Sequence, residues 1–288
     1  MLFLTGAAGK TGRSILRALA AREVSAKVLV RSAQQAESIL ALGDFEVILG
    51  DMRDPHSFEQ ELENITAIYY ICPNMTPDEL AIGKNLIAVA NRNHISHFIY
   101  HSVLHPQIEA MPHHWQKMRM EETLFASGID FTILQPCAYM QNVLAGWGKI
   151  SNEGQYVVPY GVSARISMVD LDDVGKVAAR VCTEPGHLNA IYELAGPEPL
   201  SQSEIARQLS ESRGRTVEAV EQSRVEWRQN AQKNGMNDQQ INVLIKMFEY
   251  YDKFGLVGNC STLEHLLGQK PSTFKEFIAR TLNSGDEL

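Results

Sequence analysis

Short apolar runs alternate with helix-period segments over roughly the first 135 residues of the chain. Six runs have the length and the β-branched or aromatic content of buried strands: Leu2–Thr5, Ala26–Arg31, Phe45–Leu49, Ala67–Ile71, His97–Ser102 and Asp130–Leu134. Between them, apolar residues recur three and four positions apart and indicate helices over Gly12–Ala21, Ala33–Leu42, Pro55–Leu62, Asp78–Asn93 and His114–Ser127. This alternation predicts an α/β fold with a doubly wound parallel sheet.

The pattern changes after Pro136. Further strands are predicted at Gly154–Val158, at Arg165–Val169 and near Ile191–Leu194, with a helix over Leu171–Cys182. A Ser201-x-x-Glu204 capping box then opens a mostly helical remainder. We therefore predict two interwoven domains, with residues 1–150 holding the sheet and residues 151–288 forming a smaller, mostly helical lobe that closes the ligand cleft. The segment Leu171–Leu194 is expected to pack back on the sheet.

A glycine-rich segment joins the first strand to the first helix, and its sequence is TGAAGKTG over residues 5–12. In a Rossmann-type dinucleotide site, Gly6 would make the sharp turn, Gly9 would admit a pyrophosphate to the backbone, and Gly12 would let the helix pack closely. The phosphates would face the N–H groups at the start of that helix. The predicted cofactor contacts in this segment are Gly6, Ala8, Gly9, Lys10, Thr11 and Gly12. The alternative is an ordinary turn that happens to be rich in glycine.

The second predicted strand ends at Arg31, where an NAD-specific site would place an acidic residue for the ribose 2′-hydroxyl. A guanidinium suits a 2′-phosphate instead, because it pairs in a bidentate fork and can stack on adenine. The sequence therefore favours NADP(H) as the cofactor. The alternative is a solvated arginine at the end of a strand.

Composition narrows the choice of function. The 288 residues are 44% hydrophobic and carry a formal net charge of −8, which argues against direct nucleic-acid binding. The cysteines are Cys72, Cys137, Cys182 and Cys260, and their wide spacing favours neither a disulfide framework nor a zinc site. No metal is expected. The first apolar residues belong to a strand and lack a basic leader, so a cytoplasmic protein without a membrane span is expected.

Three further segments resemble the NmrA-like family of atypical short-chain dehydrogenase/reductases, a group that includes quinone-reductase-like and redox-sensor proteins. They are GDMRDP at residues 50–55, KMRME at 117–121 followed by SGIDFTILQP at 127–136, and YMQN at 139–142 with MVDLDDVG at 168–175. The resemblance implies that Asp51 and Met52 border the adenine and that Lys117 binds the nicotinamide ribose. It also implies further cofactor contacts at Ile71, Cys72, Pro73, Ser102, Pro136 and Tyr139. On the substrate side it implies Tyr139 and Asn142, whose alternative role is packing at a helix start.

Two positions depart from this pattern. Short-chain dehydrogenases carry a tyrosine four residues before the active-site lysine, and here that position is His113. The family's usual arginine before the proline is Gln135. The first change removes the standard proton donor, which weighs against simple alcohol and ketone chemistry.

The catalytic candidates are Lys117, His113 and Ser102. Lys117 would position the cofactor, or it forms a surface pair with Glu121 four residues on. His113 can act as a general acid near neutral pH. Ser102 ends a strand where ligands of open α/β folds bind, and it either donates to a substrate oxygen or the carboxamide, or caps the strand.

The favoured function is an NADPH-dependent oxidoreductase that passes hydride to a small, electron-poor acceptor such as a quinone, because the reduced quinone anion needs little help from an acid. The alternative is a redox sensor that binds NADP(H) and acts through a protein partner. A sugar-nucleotide epimerase ranks below both, since that chemistry also needs the missing tyrosine.

Overall fold

The computed structural model describes residues 1–73 and 75–283, which form two compact units. The first unit comprises residues 1–107, 114–136 and 171–192, and the second comprises residues 108–113, 137–170 and those from 193 onward. The units interleave along the chain. The domain boundary predicted at residue 150 stays a prediction.

The elements up to residue 136 are β1 (Leu2–Leu4), α1 (Lys10–Ala20), β2 (Ala26–Val30), α2 (Ala33–Leu40), β3 (Glu46–Leu49), 3-10 turns at Pro55–Ser57 and Glu59–Glu61, β4 (Ala67–Tyr70), α3 (Glu79–Arg92), β5 (His97–His101), α4 (Pro112–Phe125) and β6 (Asp130–Pro136). The later elements are β7 (Ala138–Tyr139), a 3-10 helix at Met140–Gly146, α5 (Trp147–Glu153), β8 (Gln155–Val158), β9 (Arg165–Val169), α6 (Leu171–Thr183), β10 (Ala190–Leu194), β11 (Pro199–Ser201), α7 (Gln202–Arg213), β12 (Glu218–Glu221), α8 (Arg224–Lys233), α9 (Asp238–Phe254), α10 (Ser261–Leu267) and α11 (Phe274–Asn283).

The main sheet has seven strands in the order β10-β6-β5-β4-β1-β2-β3 within the described residues. The five pairings among β1 to β6 are parallel, and Leu4 of β1 lies opposite Val28 on one side and Tyr69 on the other. The predicted doubly wound α/β sheet is confirmed. Since these strands are parallel, all their carboxyl ends lie at one edge of the sheet, where such folds bind ligands.

The predicted helix over Pro55–Leu62 is wrong, because this segment forms two short 3-10 turns separated at Phe58. The backbone of Phe58 leaves the helical region, with φ −145° and ψ −16°. Its side chain is buried and stacks on Phe3 of β1, with ring centroids 5.4 Å apart. Burial of this ring in the core therefore outweighs the local preference for a continuous helix.

Helix α6 packs against α1 in the first unit. The Ser14 hydroxyl donates to the Leu171 carbonyl over 2.6 Å, and a Cβ at Gly175 would lie 2.7 Å from the Ser14 carbonyl oxygen. Glycine at position 175 is what permits this close approach.

In the second unit, β11, β9 and β7 form one small sheet, and β12 pairs in parallel with β8. Helix α7 begins with the predicted capping box, since Ser201 accepts from the Glu204 N–H and Glu204 accepts from the Ser201 N–H. Helices α7 to α11 confirm the mostly helical character of the C-terminal region. Across residues 1–73 and 75–283, no helix combines the length and apolarity that a bilayer crossing requires.

Candidate functional site

The glycine loop links β1 to α1 through a tight turn. Gly6 has φ +67°, and a Cβ there would meet the Ile71 carbonyl oxygen at 2.8 Å. The loop then closes through a hydrogen bond of 3.1 Å from the Gly9 N–H to the Gly6 carbonyl. A residue with a side chain at position 6 would be strained by its backbone angle and would also collide with the end of β4.

Gly12 and Gly9 differ in what surrounds them. A Cβ at Gly12 would lie 2.4 Å from the Gly6 carbonyl oxygen and 2.7 Å from the Ala7 Cα, so the helix touches the loop backbone there. A Cβ at Gly9 would meet only the Gly6 oxygen, at 3.4 Å, and Gly9 is exposed with φ −76°. The fold therefore requires glycine at position 12, whereas at position 9 it leaves room for a side chain or a ligand.

The start of helix α1, at Lys10, has the features of an anion-binding site. Gly9 caps it without a side-chain hydrogen bond, and its first turn carries no acidic residue. The first N–H groups of a helix have no partner within the helix and carry the positive end of its dipole. Lys10 is exposed, while Ala8 and Thr11 are half-buried. The residues present thus fit the diphosphate of a dinucleotide.

Arg31 follows β2 at the same edge of the sheet, and it is exposed. Its N–H donates to Gln35 Oε1 over 2.9 Å, and the Ser32 hydroxyl caps α2 by accepting from the Gln35 N–H over 3.3 Å. These bonds order the backbone of the turn. The position of Arg31 fits a 2′-phosphate contact, which stays a prediction.

Asp51 and Met52 follow β3 at this edge. Asp51 Oδ1 accepts from the Arg53 N–H over 2.9 Å, and its side chain is 42% exposed. Met52 packs against the buried residues of the first unit. Both positions are compatible with the predicted border of an adenine ring.

The end of β4 places Ile71, Cys72 and Pro73 at this edge beside the glycine loop. The Ile71 N–H donates to Thr5 Oγ1 over 3.0 Å, and the Thr5 hydroxyl donates back to the Ile71 carbonyl over 3.1 Å. Burial raises the pKa of the Cys72 thiol to about 12, so it is protonated near neutral pH. This agrees with its interpretation as an apolar wall rather than a nucleophile.

Lys117 has a different partner from the one that local spacing suggests. Its ammonium donates to Glu79 Oε1 over 2.7 Å and to the His101 carbonyl over 3.2 Å. Glu79 begins α3 and is 3% exposed, and Tyr100 of β5 donates to the same Oε1 over 2.7 Å. Sequence analysis missed Glu79 and Tyr100, because this pairing depends on how α3, β5 and α4 lie in space.

Ser102 faces a buried carboxylate. Its hydroxyl donates to Glu121 Oε1, and Gln135 Nε2 donates to the two Glu121 oxygens over 2.9 and 3.0 Å. Burial raises the pKa of Glu121, although both donors and the charge of Lys117 act in the opposite direction. Gln135, the position that departs from the family pattern, therefore binds Glu121, the glutamate of the KMRME segment.

Pro136 ends β6, and its carbonyl accepts from the Leu104 N–H over 2.8 Å. His113, Tyr139 and Asn142 belong to the second unit. His113 lies in the first turn of α4 and is 9% exposed, Tyr139 is half-buried, and Asn142 is exposed. The structure thus gathers the first-unit candidates at the carboxyl ends of β1 to β6.

The segment that holds Tyr139 and Asn142 is fixed by a buried acid, which sequence analysis did not single out for this role. The Asp170 side chain is fully buried, and it accepts from Gln141 Nε2 over 2.7 Å and from Arg280 of α11. The KMRME and YMQN motifs suggest that polar partners lie nearby. They do not show which residues those partners are.

The chain resembles known proteins over nearly its full length. A family model described as the NmrA-like family matches residues 1–278. The chain is 27% identical over 279 residues to an NAD(P)H azoreductase of Xenophilus azovorans, which covers 96% of each chain. It is 24% identical to quinone oxidoreductase 2 of Escherichia coli, over 98% of this chain and 99% of that protein. The structure of an NADPH-dependent quinone oxidoreductase from Escherichia coli, complexed with NADPH, superposes with a TM-score of 0.85 at 25% identity and covers 98% of this chain and 100% of the other.

Proposed function

Because the chain belongs to the NmrA-like family, we propose that it is an NADPH-dependent oxidoreductase that passes hydride to a small, electron-poor acceptor such as a quinone. The observation that carries the proposal is the glycine loop, in which Gly12 is required by packing while Gly9 stays open to a ligand. Relatives at 24–27% identity are named for quinone and azo-dye reduction, which supports the acceptor class.

The cofactor would be held at the carboxyl edge of the sheet. Its diphosphate would meet the N–H groups of Lys10, Thr11 and Gly12 at the start of α1, because the Gly9 N–H already donates to the Gly6 carbonyl. Arg31 would pair with the 2′-phosphate, since a guanidinium binds phosphate through two parallel N–H bonds. Bound NADPH would supply the hydride. Asp51 and Met52 would border the adenine.

The nicotinamide end would lie near β4 and β5. Ile71, Cys72 and Pro73 would form a wall there, and the Lys117 ammonium would bind the nicotinamide ribose and so fix the face of the ring that is presented. Lys117 is suited to this role because its side chain is only 12% exposed and is held by a buried carboxylate. The substrate-side role of Tyr139 and Asn142, which belong to the second unit, stays a prediction.

The acceptor class follows from the scarcity of strong proton donors. Position 113 is a histidine instead of the usual tyrosine, and the single O–H of Ser102 is used by Glu121. A ketone would become a strongly basic alkoxide and would need an acid, whereas a quinone becomes a delocalised, weakly basic anion. The residues present therefore favour quinones and similar acceptors over simple ketones.

The test is steady-state NADPH oxidation with a simple benzoquinone, compared with the Gly9→Val and His113→Ala variants. We expect turnover by the wild type, its loss in Gly9→Val and only a moderate decrease in His113→Ala. Melting curves of each variant serve as the control for folding. NADPH binding without turnover of any quinone or azo dye would refute the enzyme proposal and favour the sensor alternative, and no binding of NADPH would refute both.

A further inference from the structure

A buried polar cluster surrounds the side chain of Glu79 in the first unit, and we call it the Glu79 cluster. Its members are Glu79, Tyr70, Tyr100 and Lys117. Glu79 Oε1 accepts from both Lys117 Nζ and the Tyr100 hydroxyl at 2.7 Å, while the Tyr70 hydroxyl donates to the Glu79 backbone carbonyl over 2.9 Å. The rings of Tyr70 and Tyr100 stack with centroids 5.6 Å apart. Two donors thus hold the Glu79 carboxylate, and a third holds the backbone of the same residue.

Burial of Glu79 and Lys117 costs free energy unless both charges are present. The Glu79 side chain is 4% exposed and that of Lys117 is 12% exposed, so each ion has lost most of its hydration. A buried charge persists only when it is paired and hydrogen-bonded. Lys117 Nζ also lies 5.3 Å from the centre of the Tyr100 ring, a distance at which the face of an aromatic ring attracts a cation.

The ammonium keeps a donor for a ligand. Of its three N–H groups, the structure assigns one to Glu79 and one to the His101 carbonyl. Within residues 1–73 and 75–283, no acceptor takes the third. Two fixed bonds hold the nitrogen at the carboxyl end of β5, and the remaining N–H is available there.

We propose that Glu79 is a positioning residue, which holds the Lys117 ammonium in place and keeps it charged so that its remaining N–H can bind the nicotinamide ribose; this inference rests on the proposed function. The carboxylate itself touches neither cofactor nor substrate. Its effect passes through Lys117, and removal of its charge changes how cofactor binding depends on pH.

Several other titratable or charged groups face the cluster. Burial lowers the pKa of His101 to about 3 and that of His114 to about 4, so both are neutral near pH 7. It raises the pKa of Cys72 to about 12 and keeps the phenols of Tyr70 and Tyr100 protonated. Glu121 on α4, whose pKa is raised by burial, and Arg53, whose charge acts on Tyr70 and Cys72, are common to the wild type and to every variant compared below.

The experiment compares NADPH dissociation constants of the wild type and Glu79→Gln, measured by fluorescence titration from about pH 6 to pH 9. The glutamine keeps the size of the side chain but removes the charge, which leaves the buried Lys117 ammonium without its counter-ion. We expect affinity to fall about tenfold in the upper half of this range and to be largely restored as the pH is lowered. Protonation of the cofactor's own 2′-phosphate near pH 6 affects the wild type and the variant alike, so the ratio of their dissociation constants is compared at each pH.

Two matched variants separate the charge from general damage. Glu122→Gln removes an exposed carboxylate of α4, the helix that carries Lys117; this carboxylate pairs with Arg119, and the variant should behave as the wild type does. Tyr100→Phe removes a hydrogen bond to Glu79 but no charge, so any loss of affinity should be independent of pH. A pH profile of Glu79→Gln that matches the wild type would overturn the proposal.

A double variant covers the case in which Glu79→Gln does not fold. Glu79→Gln combined with Lys117→Met removes both charges and avoids an unpaired buried ion. If Glu79 acts through Lys117, this double variant binds NADPH more weakly than the wild type, but by a factor that does not change with pH. A loss of affinity that grows with pH in the absence of Lys117 would contradict the inference. Absence of NADPH binding by the wild type would refute the proposed function itself, which is a different outcome.

Discussion

Exchange of two loop glycines for alanine should separate the packing of the glycine loop from its use as a phosphate site. In Gly12→Ala, the new methyl group would lie 2.4 Å from the Gly6 carbonyl oxygen and 2.7 Å from the Ala7 Cα. Both neighbours are backbone atoms and cannot turn away, so helix α1 must shift. Overpacking of this kind costs about 1–3 kcal/mol in the free energy of unfolding.

Gly9→Ala is the matched control, because its methyl group would meet only the Gly6 oxygen at 3.4 Å and the backbone φ of −76° suits alanine. The lower entropy of the unfolded chain should leave its stability unchanged or raised by about 0.4–1 kcal/mol. The same methyl group would stand where the diphosphate approaches the loop, so NADPH affinity should fall.

The assay is urea denaturation without cofactor, followed by calorimetric titration with NADPH. We expect Gly12→Ala to lose stability and Gly9→Ala to lose affinity at full stability. Wild-type stability in Gly12→Ala would refute the packing argument. Wild-type NADPH affinity in Gly9→Ala would refute the placement of the diphosphate.

Three further outcomes follow from other parts of the first unit. Arg31→Glu should weaken NADPH binding at least tenfold, since charged hydrogen bonds contribute about 1.5–3 kcal/mol. NADH binding should change little. An unchanged ratio of the NADPH and NADH dissociation constants would exclude a 2′-phosphate contact. Burial lowers the pKa of His101 to about 3 in the folded protein, whereas the pKa of the unfolded residue is about 6.5. Protonation therefore favours unfolding, and the free energy of unfolding should fall as the pH drops below 6.5. His101 should account for a decrease of about 2 kcal/mol at pH 5. Urea denaturation at pH 7.5 and pH 5 should show a smaller loss of stability for His101→Gln than for the wild type. Iodoacetamide should leave Cys72 unmodified in the native protein at pH 7.5, because the pKa of its thiol is about 12; peptide mass mapping that finds it alkylated would contradict this.

Local patterns predicted the features that local forces decide. The run Leu2–Leu4 and the glycines that follow it specify a strand, a turn and a helix without reference to the rest of the chain, and all three are present. The segment around Phe58 was mispredicted because its conformation depends on a ring that packs against Phe3, which is distant in sequence.

The polar partners of the site were beyond a local pattern for the same reason. The spacing of Lys117 and Glu121 suggested a pair within one helix, yet Lys117 binds Glu79, which is 38 residues away. Which carboxylate a lysine meets depends on the packing of α3 against α4 and β5. Sequence patterns thus nominate a candidate residue such as Lys117, whereas its buried partner is visible only in the fold.

The substitution of Gln135 for the family's arginine has a consequence for proton supply. A neutral amide now holds the buried Glu121, so no guanidinium offsets the loss of hydration, and burial raises the pKa of this acid. While Glu121 is ionised, it takes the only O–H proton of Ser102, which can then accept a hydrogen bond from a ligand but cannot donate one. The predicted donation from Ser102 to a substrate oxygen is therefore not available in the observed arrangement. With histidine at position 113 as well, the residues best serve an acceptor whose reduced form needs little protonation, as the proposed quinone does.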